Sequence, residues 1–229
     1  MGGKGKGKGK GMGKGKGRSG GVGPGSSPAA KVIDANKRIK RLGEARELGQ
    51  AVAVFEELEA AGGAMAPTVV SYNVILFALV RCGELAQAAA VYTRMLAREK
   101  PPVRPTVVTL TTLLKGYCEA GDLPAAEQLL GQMADGQTLG PAARPNTRTL
   151  NAFLRGCLLT GDAHRAAAVH AKLLAAWVVP DAATTDYLLR LQAVALQLDA
   201  AAALAEAAEP DPPAGEKHIQ RKKRLSSLH

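Results

Sequence analysis

Apolar residues recur along this chain with the three- and four-residue spacing of amphipathic helices, and the helical segments come in pairs. In the first pair we predict helices over residues 35–44 and 48–60. The second of these carries one apolar stripe, formed by Ala51, Val54, Phe55 and Leu58. Comparable stripes follow in three further pairs between residues 69 and 181. The pattern predicts an all-α chain built from consecutive helical hairpins.

A repeated set of Pro, Asn or Thr, Gly and Ala residues punctuates these hairpins at constant spacing. The copies are Pro67, Asn73, Gly83 and Ala88; Pro105, Thr111, Gly121 and Ala126; and Pro145, Asn151, Gly161 and Ala166. An earlier copy keeps Asn36 and Ala51 but has Arg46 where the Gly is expected. Self-similarity at a period of 35–40 residues is the sequence signature of a solenoid. A solenoid offers a long concave surface, so binding is the first function to consider.

The small residues explain how one hairpin is built. Glycine takes the positive φ of a tight turn between two helices without steric cost. An alanine at a fixed place in the second helix lets the two helices approach closely. A proline at the end of the connecting loop prevents the preceding helix from continuing. These residues shape the fold, and we do not expect them to take part in binding or catalysis.

The period divides the chain into seven segments. Four repeat units are predicted at residues 32–68, 69–106, 107–146 and 147–181, with lengths of 37, 38, 40 and 35 residues. Residues 182–209 begin a fifth unit and lack a Gly turn, so we interpret them as a degenerate capping repeat. The Gly/Lys-rich residues 1–31 and the basic residues 210–229 are predicted to be disordered tails.

Composition and charge refine this picture. Hydrophobic residues make up 46% of the chain but aromatic residues only 3%, which favours a core of Ala, Leu and Val in closely packed helices. The net charge is +10, yet residues 1–30 contribute seven basic residues and no acid, and residues 209–229 five basic and three acidic residues. The body is therefore close to neutral. Cationic tails suit polyanions such as nucleic acids, with a solvated tail that has no specific partner as the alternative.

Several classes of function are not indicated by the sequence. No stretch reaches about 18 consecutive apolar residues, so no transmembrane helix is expected. Cys82, Cys118 and Cys157 are spaced nearly one repeat apart, which predicts a role in helix packing rather than a disulfide framework or a metal site. No carboxylate, Ser-His-Asp or Cys-His arrangement of catalytic type is found. We therefore expect no enzyme, no metal, no cofactor and no small-molecule substrate.

Polar residues inside the first helix of each unit form the candidate site. Asn36, Asn73, Thr111 and Asn151 are predicted in the first turn, opposite the apolar stripe, and Lys40, Phe77, Lys115 and Arg155 follow four residues later. Side chains at i and i+4 share one helical face. Stacked units would therefore form a groove of hydrogen-bonding groups and cations suited to single-stranded nucleic acid. The alternative is that Asn or Thr caps the helix and the cations are simply solvated.

The repeated residues resemble those of the pentatricopeptide repeat family. The resemblance is carried by Val69-Val-Ser-Tyr-Asn-Val-Ile-Leu with its Cys-Gly-Glu-Leu turn, and by Val107-Val-Thr-Leu-Thr-Thr-Leu-Leu-Lys-Gly-Tyr with its Ala-Gly-Asp-Leu turn. It covers residues 32–181 well and 182–205 loosely. The related tetratricopeptide family matches less well, because its Trp-x-x-Leu-Gly-x-x-Tyr phrase is absent. The resemblance implies a right-handed α-solenoid of helix-turn-helix repeats that binds single-stranded RNA, about one base per repeat.

The resemblance also implies roles for particular residues. Each base would be read by a residue of the first helix and by the last residue of the unit. The implied pairs are Asn36 with Thr68, Asn73 with Thr106, Thr111 with Asn146, and Asn151 with Asp181. Bases would be sandwiched by Ile33, Val70, Val108 and Arg148, and phosphates would contact Lys40, Arg81, Lys115 and Arg155. The family's reading rules then suggest two pyrimidines followed by A and U, written 5′-YYAU-3′.

Two functions remain open from the sequence. The leading hypothesis is a sequence-selective single-stranded RNA-binding protein acting in organellar RNA processing, stability, editing or translation. The alternative is a scaffold for protein partners of an RNA-processing or ribosomal complex, with basic tails that contact RNA without sequence preference. Neither involves a membrane. The resemblance suggests a mitochondrion or plastid, although residues 1–30 show no recognisable transit peptide.

Overall fold

The computed structural model describes Gly2 and residues 27–136 and 139–208. In these residues there are nine α-helices and no β-strand, and the helices form a right-handed α-solenoid. In chain order they are α1 (Pro28–Glu44), α2 (Leu48–Ala61), α3 (Val69–Cys82), α4 (Leu85–Ala97), α5 (Val107–Glu119), α6 (Leu123–Asp135), α7 (Thr147–Thr160), α8 (Ala163–Ala175) and α9 (Ala182–Ala208). The predicted all-α solenoid of hairpins is confirmed. The exact limits of the repeat units stay a prediction.

The odd-numbered helices are the first helices of the units, and they pack directly on one another from α1 through α9. The second helices, α2, α4, α6 and α8, pack mainly on the first helix of their own unit. Long charged side chains bridge the second helices: Arg94 pairs with Glu59 at 3.0 Å and Arg165 with Glu127 at 2.8 Å. The first helices therefore form a close inner layer, and the second helices form a more open outer layer.

The turn glycines behave as the sequence predicts. Gly83, Gly121 and Gly161 have φ angles of 83°, 77° and 75°, in the left-handed region that favours glycine. In the first unit Arg46 takes the same conformation, with φ of 61°. The alanines of the second helices are fully buried or nearly so, at Ala51, Ala88, Ala126 and Ala166. Each hairpin therefore has the same close helix–helix contact.

Small residues also set the spacing between neighbouring first helices. A Cβ on Gly156 would lie 2.6 Å from the Cβ of Cys118, and one on Gly43 would lie 2.6 Å from the Cβ of Ala78. Gly116 is similarly close to Leu85 and Val80. These contacts leave no room for a larger side chain. The inner layer is therefore packed through backbone that lies very close to the neighbouring unit.

The first and last described helices differ from expectation. Helix α1 begins at Pro28 rather than near residue 35, because the Ser27 hydroxyl accepts a hydrogen bond from Ala30 N–H and proline is favoured at the first helical position. Residues 28–31, predicted within the disordered tail 1–31, are therefore helical. The remainder of that tail, apart from Gly2 and Ser27, and the predicted tail 210–229 lie outside the described residues. Helix α9 runs for 27 residues without a turn.

The cysteines lie where helices pack. Cys118 and Cys157 are buried, and desolvation raises the pKa of each thiol to about 12. Cys82 is half-buried, and all three are free thiols. Within the described residues no cluster of three or more metal-ligating side chains is found. No helix in this part of the chain is both long and apolar enough to cross a lipid bilayer.

Candidate nucleic-acid interface

The predicted base-reading residues lie along the inner layer of first helices, but not where the sequence placed them. Asn73, Thr111 and Asn151 are each the fifth residue of their helix, in the second turn rather than the first. They are half-buried between neighbouring first helices, and Asn36 is 8% exposed. The predicted position in the first turn is therefore wrong, because α3, α5 and α7 each start four residues before the Asn or Thr.

The helix caps are supplied instead by the last residue of each unit. Thr68, Thr106 and Asn146 hold the N-cap position of α3, α5 and α7 with extended backbone. Each N-cap backbone N–H donates to a hydroxyl three residues later, at Ser71, Thr109 and Thr149. The alternative that Asn73, Thr111 or Asn151 caps its helix is therefore excluded. Capping belongs to the partner residue of each implied pair.

At the starts of α5, α7 and α9 a buried hydroxyl joins the cap to the preceding unit. The Thr109 hydroxyl accepts from Thr106 N–H at 3.1 Å and donates to Asn73 Oδ1 at 2.6 Å. The Thr106 and Thr109 hydroxyl oxygens are 3.3 Å apart, so the Thr106 hydroxyl can donate to the second lone pair of Thr109. With Oδ1 of Asn73 accepting this hydrogen bond, its NH₂ group is the part of the side chain left to donate to another group. The implied pair of Asn73 and Thr106 therefore belongs to one hydrogen-bond network.

The next two units repeat this arrangement with different chemistry. Thr111 and Thr149 bring their hydroxyl oxygens within 3.0 Å, and Thr149 N–H donates to Asn146 Oδ1 at 3.1 Å. In the following unit the Thr184 hydroxyl donates to Asn151 Oδ1 at 2.7 Å. The three hydroxyls of Thr109, Thr149 and Thr184 come from residues with no exposed surface. We call these three threonines, with Ser71, the buried hydroxyl row.

Asn151 and Asp181 are the one implied pair in direct contact. Asn151 Nδ2 donates to Asp181 Oδ1 at 3.0 Å. This hydrogen bond, followed by those from Thr184, lowers the pKa of the Asp181 carboxyl below its ordinary value. Asp181 is therefore a carboxylate at neutral pH, and a carboxylate only accepts hydrogen bonds. A base edge facing it must supply a donor.

The first unit lacks this connection. The Ser71 hydroxyl lies 3.0 Å from Thr68 N and 3.3 Å from Thr68 Oγ1, and it makes no hydrogen bond to Asn36. Asn36 Oδ1 is buried without a hydrogen-bond partner. The structure therefore does not link Asn36 to Thr68 as it links the other three pairs. Asn36 is the least constrained residue of the four.

An open groove of about 490 Å³ lies between α5 and α7. Seven of the predicted site residues line it: Val108, Thr111, Lys115, Asn146, Arg148, Asn151 and Arg155. Val108 and Arg148 are exposed on its wall, where a flat base could stack. Three cations and Glu119 share the groove, so its charge is positive on balance. Sequence reasoning did not assign Glu119 or Tyr187, which also line it.

A second groove of about 460 Å³ lies between α1 and α3. It contains five more of the predicted residues: Ile33, Asn36, Lys40, Thr68 and Val70. Ile33 and Val70 are each 54% exposed, an unusual exposure for aliphatic side chains that face each other across a groove. Lys40 is paired with Glu44 at 3.9 Å, which offsets part of its charge. Arg81, in the last turn of α3, lines neither groove.

The buried hydroxyl row was missed by sequence reasoning, although a signal for it exists. Each of its members follows the last residue of a unit by three positions, in the pattern Thr68-x-x-Ser71 or Thr106-x-x-Thr109. A hydroxyl three residues after an N-cap residue indicates a reciprocal cap. What the pattern does not indicate is that the same hydroxyl also reaches the preceding unit.

Comparison with known proteins agrees with this repeat geometry. Residues 70–99 and residues 102–134 each match a family model described as a PPR repeat. A pentatricopeptide repeat-containing protein of Arabidopsis thaliana is 28% identical over 145 residues, which is 62% of this chain and 23% of that protein. A second, chloroplastic relative of the same description from that species is 28% identical over 114 residues, 50% of this chain and 14% of the relative. The chain thus spans less than a quarter of either relative.

Solved structures show the same fold. The pentatricopeptide repeat protein PPR10 from maize superposes with a TM-score of 0.62 at 17% identity, over 77% of this chain and 24% of that one. PPR10 in complex with an 18-nt psaJ RNA element gives 0.60 at 26% identity, over 75% and 24%. The PPR domain of Arabidopsis thaliana protein-only RNase P 1, in complex with tRNA, gives 0.57 at 20% identity, over 86% and 100%. Family models, relatives and solved structures agree: residues 70–99 and 102–134 are similar to pentatricopeptide repeats, and the described chain has the fold of pentatricopeptide repeat proteins.

Proposed function

We propose that the inner layer of first helices binds single-stranded RNA and reads about one base per unit. The observation that carries the proposal is the buried hydroxyl row, whose hydrogen bonds hold the side chains of Asn73, Thr111 and Asn151 in fixed orientations. Fixed donors and acceptors beside an exposed stacking surface are what base recognition requires. The 26% identity to PPR10, whose structure was solved with RNA, supports the same assignment.

The chemistry of the last unit agrees with the base suggested for it. Asp181 is a carboxylate and can only accept, so it favours an edge with an N–H group, such as N3–H of uracil. Cytosine presents a lone pair at N3, so this atom cannot donate to the carboxylate as N3–H of uracil can. In the unit before it, the neutral amide of Asn146 can donate as well as accept, which suits adenine. These assignments keep 5′-YYAU-3′ as the proposed target.

The cations of the groove would contact phosphates. Lys115 and Arg155 lie one turn beyond Thr111 and Asn151, on the same side of their helices, and both are exposed. Four bases at about 1–3 kcal/mol each, less the cost of association, correspond to roughly micromolar affinity. The basic residues 1–30 would add affinity that depends on salt and not on sequence. Arg81 lines neither groove, so we assign it a weaker role in phosphate binding than the sequence suggested.

The biological setting is part of the same proposal. We propose that the chain binds RNA without catalysis and acts in organellar RNA processing, stability, editing or translation. The chloroplastic relative supports a plastid or mitochondrial location. A fluorescent fusion of the full-length protein imaged with organelle markers tests this part, and diffuse signal outside both organelles would contradict it.

RNA binding is tested by fluorescence anisotropy with a 12-mer containing CCAU, a scrambled 12-mer of the same composition, and a salt series. The protein is compared with a variant lacking residues 1–26, a boundary chosen because Ser27 caps α1. We expect the truncated protein to keep its preference for CCAU with weaker overall affinity and a smaller salt dependence. Loss of all binding with the tail would contradict base reading by the repeats and favour a protein scaffold with a cationic arm.

The assignment of individual bases is tested by Asn146→Asp. Aspartate caps a helix as well as asparagine does, so the fold is retained. We expect the preferred base at the third position to change from A toward G, while the other positions keep theirs. An unchanged preference at the third position would contradict the assignment of Asn146.

A further inference from the structure

Helix α9 begins in the same register as the first helices before it. At an offset of 35 residues from the fourth unit, Asp181 and Thr184 take the places of Asn146 and Thr149. They form the same reciprocal cap: Asp181 N–H donates to the Thr184 hydroxyl at 3.1 Å, and Thr184 N–H donates to Asp181 Oδ1 at 2.9 Å. The Thr184 hydroxyl also donates to Asn151 Oδ1 in α7. The start of α9 is therefore fixed against α7 as α5 and α7 are fixed against the helices before them.

This register places two polar residues of α9 at positions that the candidate site already uses. Asp186 takes the place of Asn151, and Arg190 takes the place of Arg155. The two side chains lie one turn apart and pair with each other, with Arg190 Nε 2.9 Å from Asp186 Oδ2. The Asp186 side chain is 53% exposed and that of Arg190 63%, so neighbouring helices do not cover them. Helix α9 thus carries one residue at the base-reading position and one at the phosphate position.

The groove that we propose binds RNA continues to α9. Tyr187, which follows Asp186, lines the groove of about 490 Å³ between α5 and α7. Ala183 is exposed at the position that Val108 and Arg148 hold in the units before it, where bases are proposed to stack. Its methyl group offers less surface than those side chains, and no further first helix follows among the described residues to cover the second face of a base. We therefore expect a base at α9 to be held mainly by its hydrogen bonds.

Asp186 differs from the earlier base-reading residues in its chemistry. A carboxylate only accepts hydrogen bonds, whereas Asn and Thr can also donate. In the earlier units a second base-reading residue comes from the cap of the next first helix, but α9 runs to Ala208 without a turn that could supply one. A base at α9 therefore meets the two oxygens of one carboxylate. Guanine suits them best, because its N1–H and its N2 amino group are parallel donors that match both oxygens as a guanidinium does.

The ion pair with Arg190 leaves this carboxylate available to a base. An exposed pair at i and i+4 is weak, so a phosphate can replace Asp186 as the partner of the guanidinium at little cost. Arg190 then neutralises the phosphate, and both Asp186 oxygens can accept from the base. One RNA nucleotide thus supplies a partner for each member of the pair.

We propose that α9 binds a fifth nucleotide, directly 3′ of the four assigned above, where Asp186 selects guanine and Arg190 contacts the phosphate. The target becomes 5′-YYAUG-3′. This inference rests on the proposed function and adds a binding site to residues that the sequence predicted as a capping repeat. If α9 only closes the array, the base at this place makes no difference to affinity.

Fluorescence anisotropy of the full chain with five RNAs tests this site. Four are 12-mers that contain CCAU followed by G, A, C or U and are otherwise identical, and the fifth has an abasic nucleotide at that place. We expect the RNA with G to bind at least threefold more tightly than any of the others. Asp186→Asn should remove this preference, because an amide both donates and accepts. The control Asp199→Asn makes the same charge change 13 residues further along α9, about 20 Å away, and should keep the preference.

Arg190→Gln gives an independent measurement of the phosphate contact. We expect it to weaken binding of all five RNAs by a similar factor and to reduce the slope of log affinity against log salt by about 0.7, the value for one phosphate of a single strand. An unchanged slope would contradict the role of Arg190.

The outcomes separate this inference from the proposed function. Equal affinity for the five RNAs, together with a preference for CCAU over a scrambled 12-mer, would overturn the fifth site and leave the four-base assignment standing. A preference for G that survives in Asp186→Asn would also overturn it. Equal binding of CCAU and scrambled RNA would overturn both.

Discussion

The buried hydroxyl row makes a specific prediction for Thr109→Val, a substitution that keeps the shape of the side chain. It removes three hydrogen bonds: from Thr106 N–H, with the Thr106 hydroxyl, and to Asn73 Oδ1. At about 1 kcal/mol of net stability each, less about 0.8 kcal/mol for the added buried methyl group, the expected loss is about 2 kcal/mol. The control is Thr112→Val, since Thr112 is less buried and its hydroxyl bonds only to the Val108 carbonyl of its own helix.

Urea unfolding followed by circular dichroism measures the loss, and we expect the control to stay within about 0.5 kcal/mol of the wild type. Anisotropy measures the functional effect, because Asn73 without its partner is free to rotate its amide. We expect discrimination between pyrimidine and purine to fall at the second position only. Thr109→Val and Thr112→Val of equal stability would refute the energetic argument. A destabilised Thr109→Val protein with unchanged discrimination would refute the link between the hydroxyl and base reading.

Three further predictions follow from the packing, the backbone and the charges. Gly156→Ala should lower the free energy of unfolding in urea by about 1–3 kcal/mol, since its Cβ would lie 2.6 Å from that of Cys118. The control Gly131→Ala, in open space on α6, should instead raise it by up to about 1 kcal/mol. A Gly156→Ala protein as stable as the wild type would contradict the close packing. Arg46→Gly should raise the melting temperature by relieving a left-handed φ of 61°, and a lower value would show that the arginine side chain compensates. The lowered pKa of Asp181 means that its contribution to stability is present above the unfolded pKa of about 3.9 and is lost as the pH falls through the lower folded value. We expect the free energy of unfolding of Asp181→Asn to fall less steeply at acid pH than that of the wild type. An unchanged pH dependence would contradict the assignment.

The hairpins were predictable because their determinants are local. Gly83 and Gly161 are followed by an acidic residue and a helix, and glycine at that position almost dictates the turn. The helices start earlier than predicted, because the Asn or Thr six residues after the proline does not open them. The actual N-cap is the residue directly after the proline, as at Pro67-Thr68 or Pro105-Thr106.

The connection between units was not predictable from one unit. The contact of Thr109 with Asn73 joins residues 36 positions apart, and it depends on how one first helix is rotated against the next. Periodicity fixes which side of a helix faces inward but not that rotation. The rotation is set by the close approach of Gly156 to Cys118 and of Gly116 to Val80, where the absence of a side chain gives no sequence signal of its own.

The two layers of the solenoid differ in stiffness, and this has a mechanical consequence. Neighbouring first helices touch through backbone and small side chains, so the distance between successive units is nearly fixed along the inner edge. Neighbouring second helices are bridged by long charged side chains such as Arg94 with Glu59, which tolerate changes in separation and weaken with salt. We therefore expect the second helices to move apart or together while the first helices, which carry the site, keep their spacing. Curvature can change on binding or with ionic strength while the spacing between adjacent base-reading positions is preserved.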